Sequence, residues 1–104
     1  MSRAALDKIN QLIASNAVMV FSKSYCPYCR RAKGALDDLK VAYNALELDM
    51  TNDGSDLQAA LKELTGQRTV PNIFIHQKHI GGCDDLLAGI TNQSVQQLLT
   101  SKST

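Results

Sequence analysis

The sequence has almost no net charge, no apolar run long enough to cross a bilayer, and too few cysteines for a disulfide framework. Its 11 Lys and Arg stand against 10 Asp and Glu, a formal charge of +1. That leaves no field with which to hold nucleic acid or an anionic membrane surface, so neither is expected as a partner. No stretch approaches the roughly 20 apolar residues of a spanning helix. Asp7 and Lys8 interrupt the start before any apolar segment of signal-peptide length, and cytoplasmic residence is the expectation. Three cysteines are an odd number, and Cys26 and Cys29 stand too close to staple distant parts of the chain. Internal repeats, linkers and low-complexity tracts are also absent. What is present is 104 residues, 44% of them hydrophobic, enough for one sizeable core and for a single domain over residues 1–104.

Leu6, Ile9, Leu12 and Ile13 form a stripe at helical spacing, with Ser2 placed to cap the start and Asn16 to end it. The apolar run 17–21 is too short for a helix and reads as a central strand covered on both faces. Pro27 suits the first turn of a second helix, whose inner face carries Cys29, Ala32, Leu36 and Leu39. Residues 43–49 alternate loosely and predict a second strand. Turn residues 51–54 then lead to a helix capped near Ser55, with Leu57, Ala60, Leu61 and Leu64 buried and Gly66 at its end. Residues 72–76 predict a strand, Gln77-Lys78 a tight turn and His79-Ile80 a short partner strand. Asp84 and Asp85 open a helix with Leu86, Leu87 and Ile90, and Val95, Leu98 and Leu99 mark a last one before a polar tail at Lys102-Ser103-Thr104. The order α β α β α β β α α predicts an α/β fold, a four-stranded mixed sheet flanked by about five helices, with a right-handed crossover in its first half.

Cys26-Pro27-Tyr28-Cys29 follows a buried strand and opens a helix. There Cys26 faces unpaired backbone N–H groups and the positive end of the helix dipole, which favour thiolate over thiol. A free cysteine is only about 3% thiolate at pH 7. The dipole contributes roughly 0.3 to 2 kcal/mol, so charge-assisted hydrogen bonds and the nearby Lys23 and Arg30 are expected to share the task. Residues three apart on a first helical turn lie side by side, close enough to form a disulfide. Cys26 is therefore the expected attacking thiol, and Cys29, deeper on the inner face, the resolving one. The competing chemistry is half a zinc site completed by Cys83 and His76 or His79. No second C-x-x-C or paired-histidine motif accompanies the first, which favours redox chemistry over metal.

Cys-Pro-Tyr-Cys, then Thr69-Val70-Pro71, then Gly81-Gly82-Cys83-Asp84-Asp85 together resemble the glutaredoxins over nearly the whole chain. The resemblance implies a thioredoxin-like fold with an added N-terminal helix and a cis peptide bond before Pro71. It also implies glutathione as co-substrate, with no tightly bound cofactor and no metal. Glutathione would pair its cysteine with the Val70 backbone as an added strand does. Lys23 and Gln58 would face its glycine carboxylate, Tyr28 would line the groove beside Thr69, Val70 and Pro71, and Gly82, Cys83 and Asp84 would hold the γ-glutamyl end. Helix-opening N–H groups at Cys83 and Asp84 suit a carboxylate, and the Asp84 side chain suits an ammonium; Arg68 is a weaker candidate. His76 and His79 fit no family motif and receive no role.

The absence of tryptophan before the motif separates the chain from thioredoxin proper. The implied function is glutathione-dependent reduction of protein disulfides and of protein–glutathione mixed disulfides, by a monomer whose partners are glutathione and glutathionylated or disulfide-containing proteins. A rival is glutathione-ligated iron–sulfur cluster carriage between two protomers, against which Pro27 counts in this family.

Overall fold

The computed structural model describes residues 3–100. Ser2 and the polar tail at Lys102-Ser103-Thr104 lie outside the described residues. The elements are α1 (Arg3–Ser15), β1 (Val18–Ser22), α2 (Pro27–Asp38), β2 (Asn44–Glu47), a 3-10 turn (Leu48–Met50), α3 (Gly54–Thr65), β3 (Asn72–Ile75), β4 (Lys78–Gly81), α4 (Cys83–Thr91) and α5 (Ser94–Thr100). The sheet runs β2-β1-β3-β4. β1 and β2 are parallel, joined by α2, whereas β1/β3 and β3/β4 are antiparallel.

β1 is buried along its whole length and is central because both of its faces are apolar. Met19 and Phe21 turn toward α1 and α3, where they meet Ile9, Ile13, Leu57, Leu61 and Phe74. Val18 and Val20 turn the other way, against Ala32, Leu36, Ile73, Ile75, Leu86 and Val95. This alternation divides the hydrophobic core into two layers with the sheet between them. Among the described residues no helix is long and apolar enough to cross a membrane.

Several local expectations are corrected. The second strand stops at Glu47, and Leu48–Met50 forms a 3-10 turn that buries Leu48. α3 begins at Gly54 rather than near Ser55, and only glycine fits there, because a Cβ at position 54 would lie 1.8 Å from the Leu48 carbonyl oxygen. Asp53 stands at its N-cap without capping it; its carboxylate accepts instead from the Lys8 ammonium at 2.9 Å and from the Thr51 hydroxyl. Leu64 is 44% exposed, so α3 buries Leu57, Ala60 and Leu61 but not Leu64. The hairpin turn falls on His76-Gln77, both with positive φ (47° and 69°), one residue earlier than expected. This pair of left-handed residues matches the twist of the flanking strands. Other expectations hold: Asn16 follows α1 and donates to the Leu12 carbonyl at 2.9 Å, and Gly66 ends α3.

Candidate functional site

Cys26 stands at the N-cap of α2, in extended backbone, with Pro27 next to it in the first turn. A proline there loses nothing, because its missing N–H has no partner within the helix. Strand β1 and its polar exit thus carry Cys26 to the N-terminus of α2. The first turn folds Cys29 back beneath it, so that the Cys29 N–H donates to Cys26 Sγ at 3.4 Å. Both cysteines are free thiols, Cys26 half-buried and Cys29 completely covered.

The two sulfurs differ electrostatically. Burial is the largest single influence on Cys26 and opposes its thiolate. It is outweighed by the Cys29 N–H and thiol, the Tyr28 N–H and the Lys23 charge, which together hold Cys26 below the ordinary thiol value. Burial dominates at Cys29 as well and, with the hydrogen bond and charge of Cys26, pushes that thiol up to about 11, against donors from the Lys23 backbone and the Ser22 hydroxyl. Cys26 is therefore the more readily ionised of the two sulfurs, and Cys29 keeps its proton near neutral pH. Of the two cations expected to help, Lys23 acts on Cys26; Arg30 is solvent-exposed.

The Lys23 contribution can be measured without any substrate. Lys23→Ala is expected to move the pH profile of Cys26 alkylation by iodoacetamide upward. The rate loss should be greatest at pH values below the Cys26 pKa, where the lost charge lowers the thiolate fraction, and should vanish where the thiol is fully ionised. One partly screened charge limits the loss to less than about tenfold. An unchanged profile would remove Lys23 from the electrostatics of the site.

Opposite Cys26 runs the segment between α3 and β3. Its Val70–Pro71 peptide bond is cis, and the Val70 carbonyl oxygen lies 3.9 Å from Cys26 Sγ. Tyr28, Thr69, Val70, Pro71, Gly82, Cys83 and Asp84 line one groove of about 430 Å³, together with Gln67 and Asp85. Seven of the nine residues implied for glutathione are thus brought together. Lys23 and Gln58 lie outside that lining. Gln58 shares a separate depression with Arg68 and Lys62, and its Nε2 donates to the Arg68 carbonyl at 2.9 Å.

Gln67, Asp49 and Arg31, which carry no sequence signal, and Asp85, expected at the start of α4, surround the site. Gln67 Nε2 donates to the Thr69 and Pro71 carbonyls, at 3.0 and 2.9 Å, and so braces the segment on both sides of Val70. Asp49 accepts from the Ser24 N–H at 2.9 Å and from its hydroxyl, fixing the approach to Cys26. The Arg31 guanidinium lies 5.8 Å from the centre of the Tyr28 ring, and Tyr28 is 58% exposed. At the far wall Asp85 accepts from the Gly82 N–H at 3.0 Å. Asp85 is therefore the capping carboxylate of α4, and Asp84 is left exposed at the groove. Gly81 permits this closeness: its φ is 120°, and a Cβ there would meet the Asp85 carboxylate at 2.2 Å. Cys83 is buried, and burial, with the Asp84 charge, raises its thiol against the pull of Arg31.

His79 Nε2 lies 2.9 Å from Asn72 Oδ1 and its ring packs on Phe74. Among the described residues no group of three or more His, Cys, Asp or Glu side chains gathers as a metal ion would require.

The glutaredoxin family model matches residues 18–80, from β1 into β4. A glutaredoxin of Ricinus communis is 54% identical over 96 residues, covering 92% of this chain and 94% of the relative. Glutaredoxin-1 of Rhizophagus irregularis is 50% identical, covering 91% of this chain and 94% of its own. Among solved structures, a buckwheat glutaredoxin–glutathione complex superposes with a TM-score of 0.93 at 49% identity, covering 94% of this chain and 89% of the other. The paired cysteines at the head of α2 and the mixed four-stranded sheet agree with these likenesses across nearly the whole chain, and the protein belongs to the glutaredoxin family, with its thioredoxin-like fold.

Proposed function

We propose that this chain is a glutathione-dependent thiol–disulfide oxidoreductase that reduces protein–glutathione mixed disulfides and protein disulfides. The observation that carries this reading is the pairing of a half-buried Cys26, whose sulfur accepts the Cys29 N–H at the head of α2, with a fully buried Cys29 thiol, beside an open groove that reaches the Val70 backbone.

In the monothiol route the Cys26 thiolate attacks the glutathione sulfur of a glutathionylated protein and releases the protein thiolate. A second glutathione then displaces the first from Cys26, giving glutathione disulfide. In the dithiol route Cys26 attacks a protein disulfide and Cys29 displaces the protein, closing the Cys26–Cys29 disulfide, which glutathione reduces. An extended ligand paired with the Val70 backbone would bring its sulfur to Cys26, since the Val70 carbonyl is already beside that sulfur. Thr69, Pro71 and Tyr28 shape the wall. The N–H groups of Cys83 and Asp84, unpaired at the start of α4, suit the α-carboxylate of the γ-glutamyl end, and the Asp84 carboxylate its ammonium. The Gly82 N–H is engaged by Asp85 and holds that wall in place. For the glycine carboxylate the candidates are Lys23 and Gln58, which reach the ligand only if it extends past the groove described above.

The resemblance to a protein solved with glutathione supports glutathione as co-substrate. We further propose that the chain acts as a monomer in the cytoplasm and needs no tightly bound cofactor. The direct test is glutathione-dependent turnover of a glutathionylated model protein coupled to glutathione reductase. Turnover by the reduced, metal-free protein is expected, and its absence would overturn the reading. In the same assay Asp84→Ala is expected to raise the KM for glutathione about tenfold, the loss of one charge-assisted contact of roughly 1.5 kcal/mol. An unchanged KM would remove Asp84 from the site.

A further inference from the structure

Val70 turns its carbonyl oxygen to Cys26 Sγ, 3.9 Å away, and among the described residues no group accepts from its N–H. The direction of these two groups is fixed by the residues on either side. The Thr69 and Pro71 carbonyls both accept from Gln67 Nε2, at 3.0 and 2.9 Å. An amide nitrogen has two hydrogens, so both are spent, and the Gln67 amide has one orientation: its oxygen, turned to the same carbonyls, would be repelled. Gln67 is itself anchored. Its N–H donates to Thr65 Oγ1 at 3.0 Å, and that hydroxyl donates to the Leu61 carbonyl of α3 at 2.8 Å and accepts from Asn72 Nδ2 at 3.4 Å. Asn72, the first residue of β3, is 1% exposed, and its Oδ1 lies 2.9 Å from His79 Nε2 of β4. A side-chain chain thus runs from the buried edge of the sheet to the Gln67 amide. That amide also lies near the opposite wall of the groove, since a Cβ at Gly82 would stand 3.6 Å from the Pro71 carbonyl oxygen and 4.0 Å from Gln67 Nε2.

A ligand with a main chain around its sulfur gains from Val70 only where the N–H and carbonyl already point along the directions an added strand needs. A loop free to turn would lose part of that gain in being ordered. We propose that Gln67 is a positioning residue that makes exchange at Cys26 selective for disulfides carrying a peptide main chain beside the sulfur, a role that rests on the glutathione co-substrate proposed above. Plain alkyl disulfides have no main chain to pair with Val70 and gain nothing from the brace. In the exchange the Cys26 thiolate bonds to one sulfur of glutathione disulfide and the S–S bond breaks. The other glutathione leaves as a thiolate with the electron pair, so Cys26 is oxidised as the leaving sulfur is reduced. Gln67 touches none of the reacting atoms and acts through Val70.

The test compares glutathione disulfide with bis(2-hydroxyethyl) disulfide, in a Cys29→Ser background so that the reaction stops at the Cys26 adduct. Adduct formation is followed by the mass of the Cys26 peptide, at high ionic strength so that an added charge is screened. Gln67→Met keeps the length of the side chain and removes the donor, and the ratio of the two second-order rates, glutathione disulfide over the alkyl disulfide, is expected to fall about fivefold or more. Gln67→Lys supplies an ammonium that donates to both carbonyls, and its ratio is expected to stay within about twofold of wild type. An unchanged ratio in Gln67→Met, an equal loss with both reagents, or a loss that Gln67→Lys does not recover would overturn the positioning role. Failure of the glutathione reading has a different sign: the wild type would then show no higher ratio than free cysteine does with the same two disulfides, and the role of Gln67 would fall with it.

Discussion

Cys26→Ser is expected to abolish both reduction of a glutathionylated protein and reduction of a protein disulfide, by on the order of 10³-fold or more. Cys29→Ser is expected to keep the first activity and lose the second. The asymmetry follows from where the two sulfurs lie. Cys26 is half-buried, receives the Cys29 and Tyr28 N–H groups and feels the Lys23 charge, all of which favour its thiolate, so it is the sulfur that begins either route. Cys29 has no exposed surface and a thiol raised to about 11, so it cannot replace Cys26 as the attacker. It is needed only where the mixed disulfide must be opened from within the same molecule, since external glutathione can open the other kind. The measurement is the coupled glutathione reductase assay on both substrates for both variants. Equal loss in the two variants would contradict the division of labour and favour a structural role for the pair.

Phe21→Ala is expected to cost about 3 to 5 kcal/mol of stability and to lower the Tm by roughly 15 °C or more. Phe21 has no exposed surface and meets Phe74 edge to face, with ring centres 6.0 Å apart. It fills the layer between the sheet and helices α1 and α3, contacts that a truncated side chain leaves as a cavity. Leu64→Ala on the outer side of α3 supplies the comparison: a side chain 44% exposed should cost less than about 1 kcal/mol. Thermal unfolding followed by circular dichroism separates the two. Similar losses from both variants would mean that the layer assignment around β1 is wrong.

The sequence by itself was enough wherever the deciding interaction is local. The 3.6-residue stripe of α1, the two-faced apolar run of β1, the proline in the first turn of α2 and the three-residue spacing of the cysteines each place residues that are neighbours in the chain. The resemblance carried by Cys26-Pro27-Tyr28-Cys29, Thr69-Val70-Pro71 and Gly82-Cys83-Asp84 extended this to a groove, and seven of the nine residues it named do line one. Tertiary structure decided what depends on contacts between distant segments. Position 54 must be glycine because the Leu48 carbonyl occupies the space of a side chain, and Leu64 is exposed because α1 and the sheet cover only part of α3. Gln58 turns to the Arg68 carbonyl rather than into the groove, while Gln67 takes up the bracing of the Val70 segment. Ser22 and Glu47, 25 residues apart, meet only because β1 and β2 pair in that register. Periodicity records which face of an element is apolar, but a hydrogen bond between elements depends on register and packing, which form only when the sheet and its helices come together.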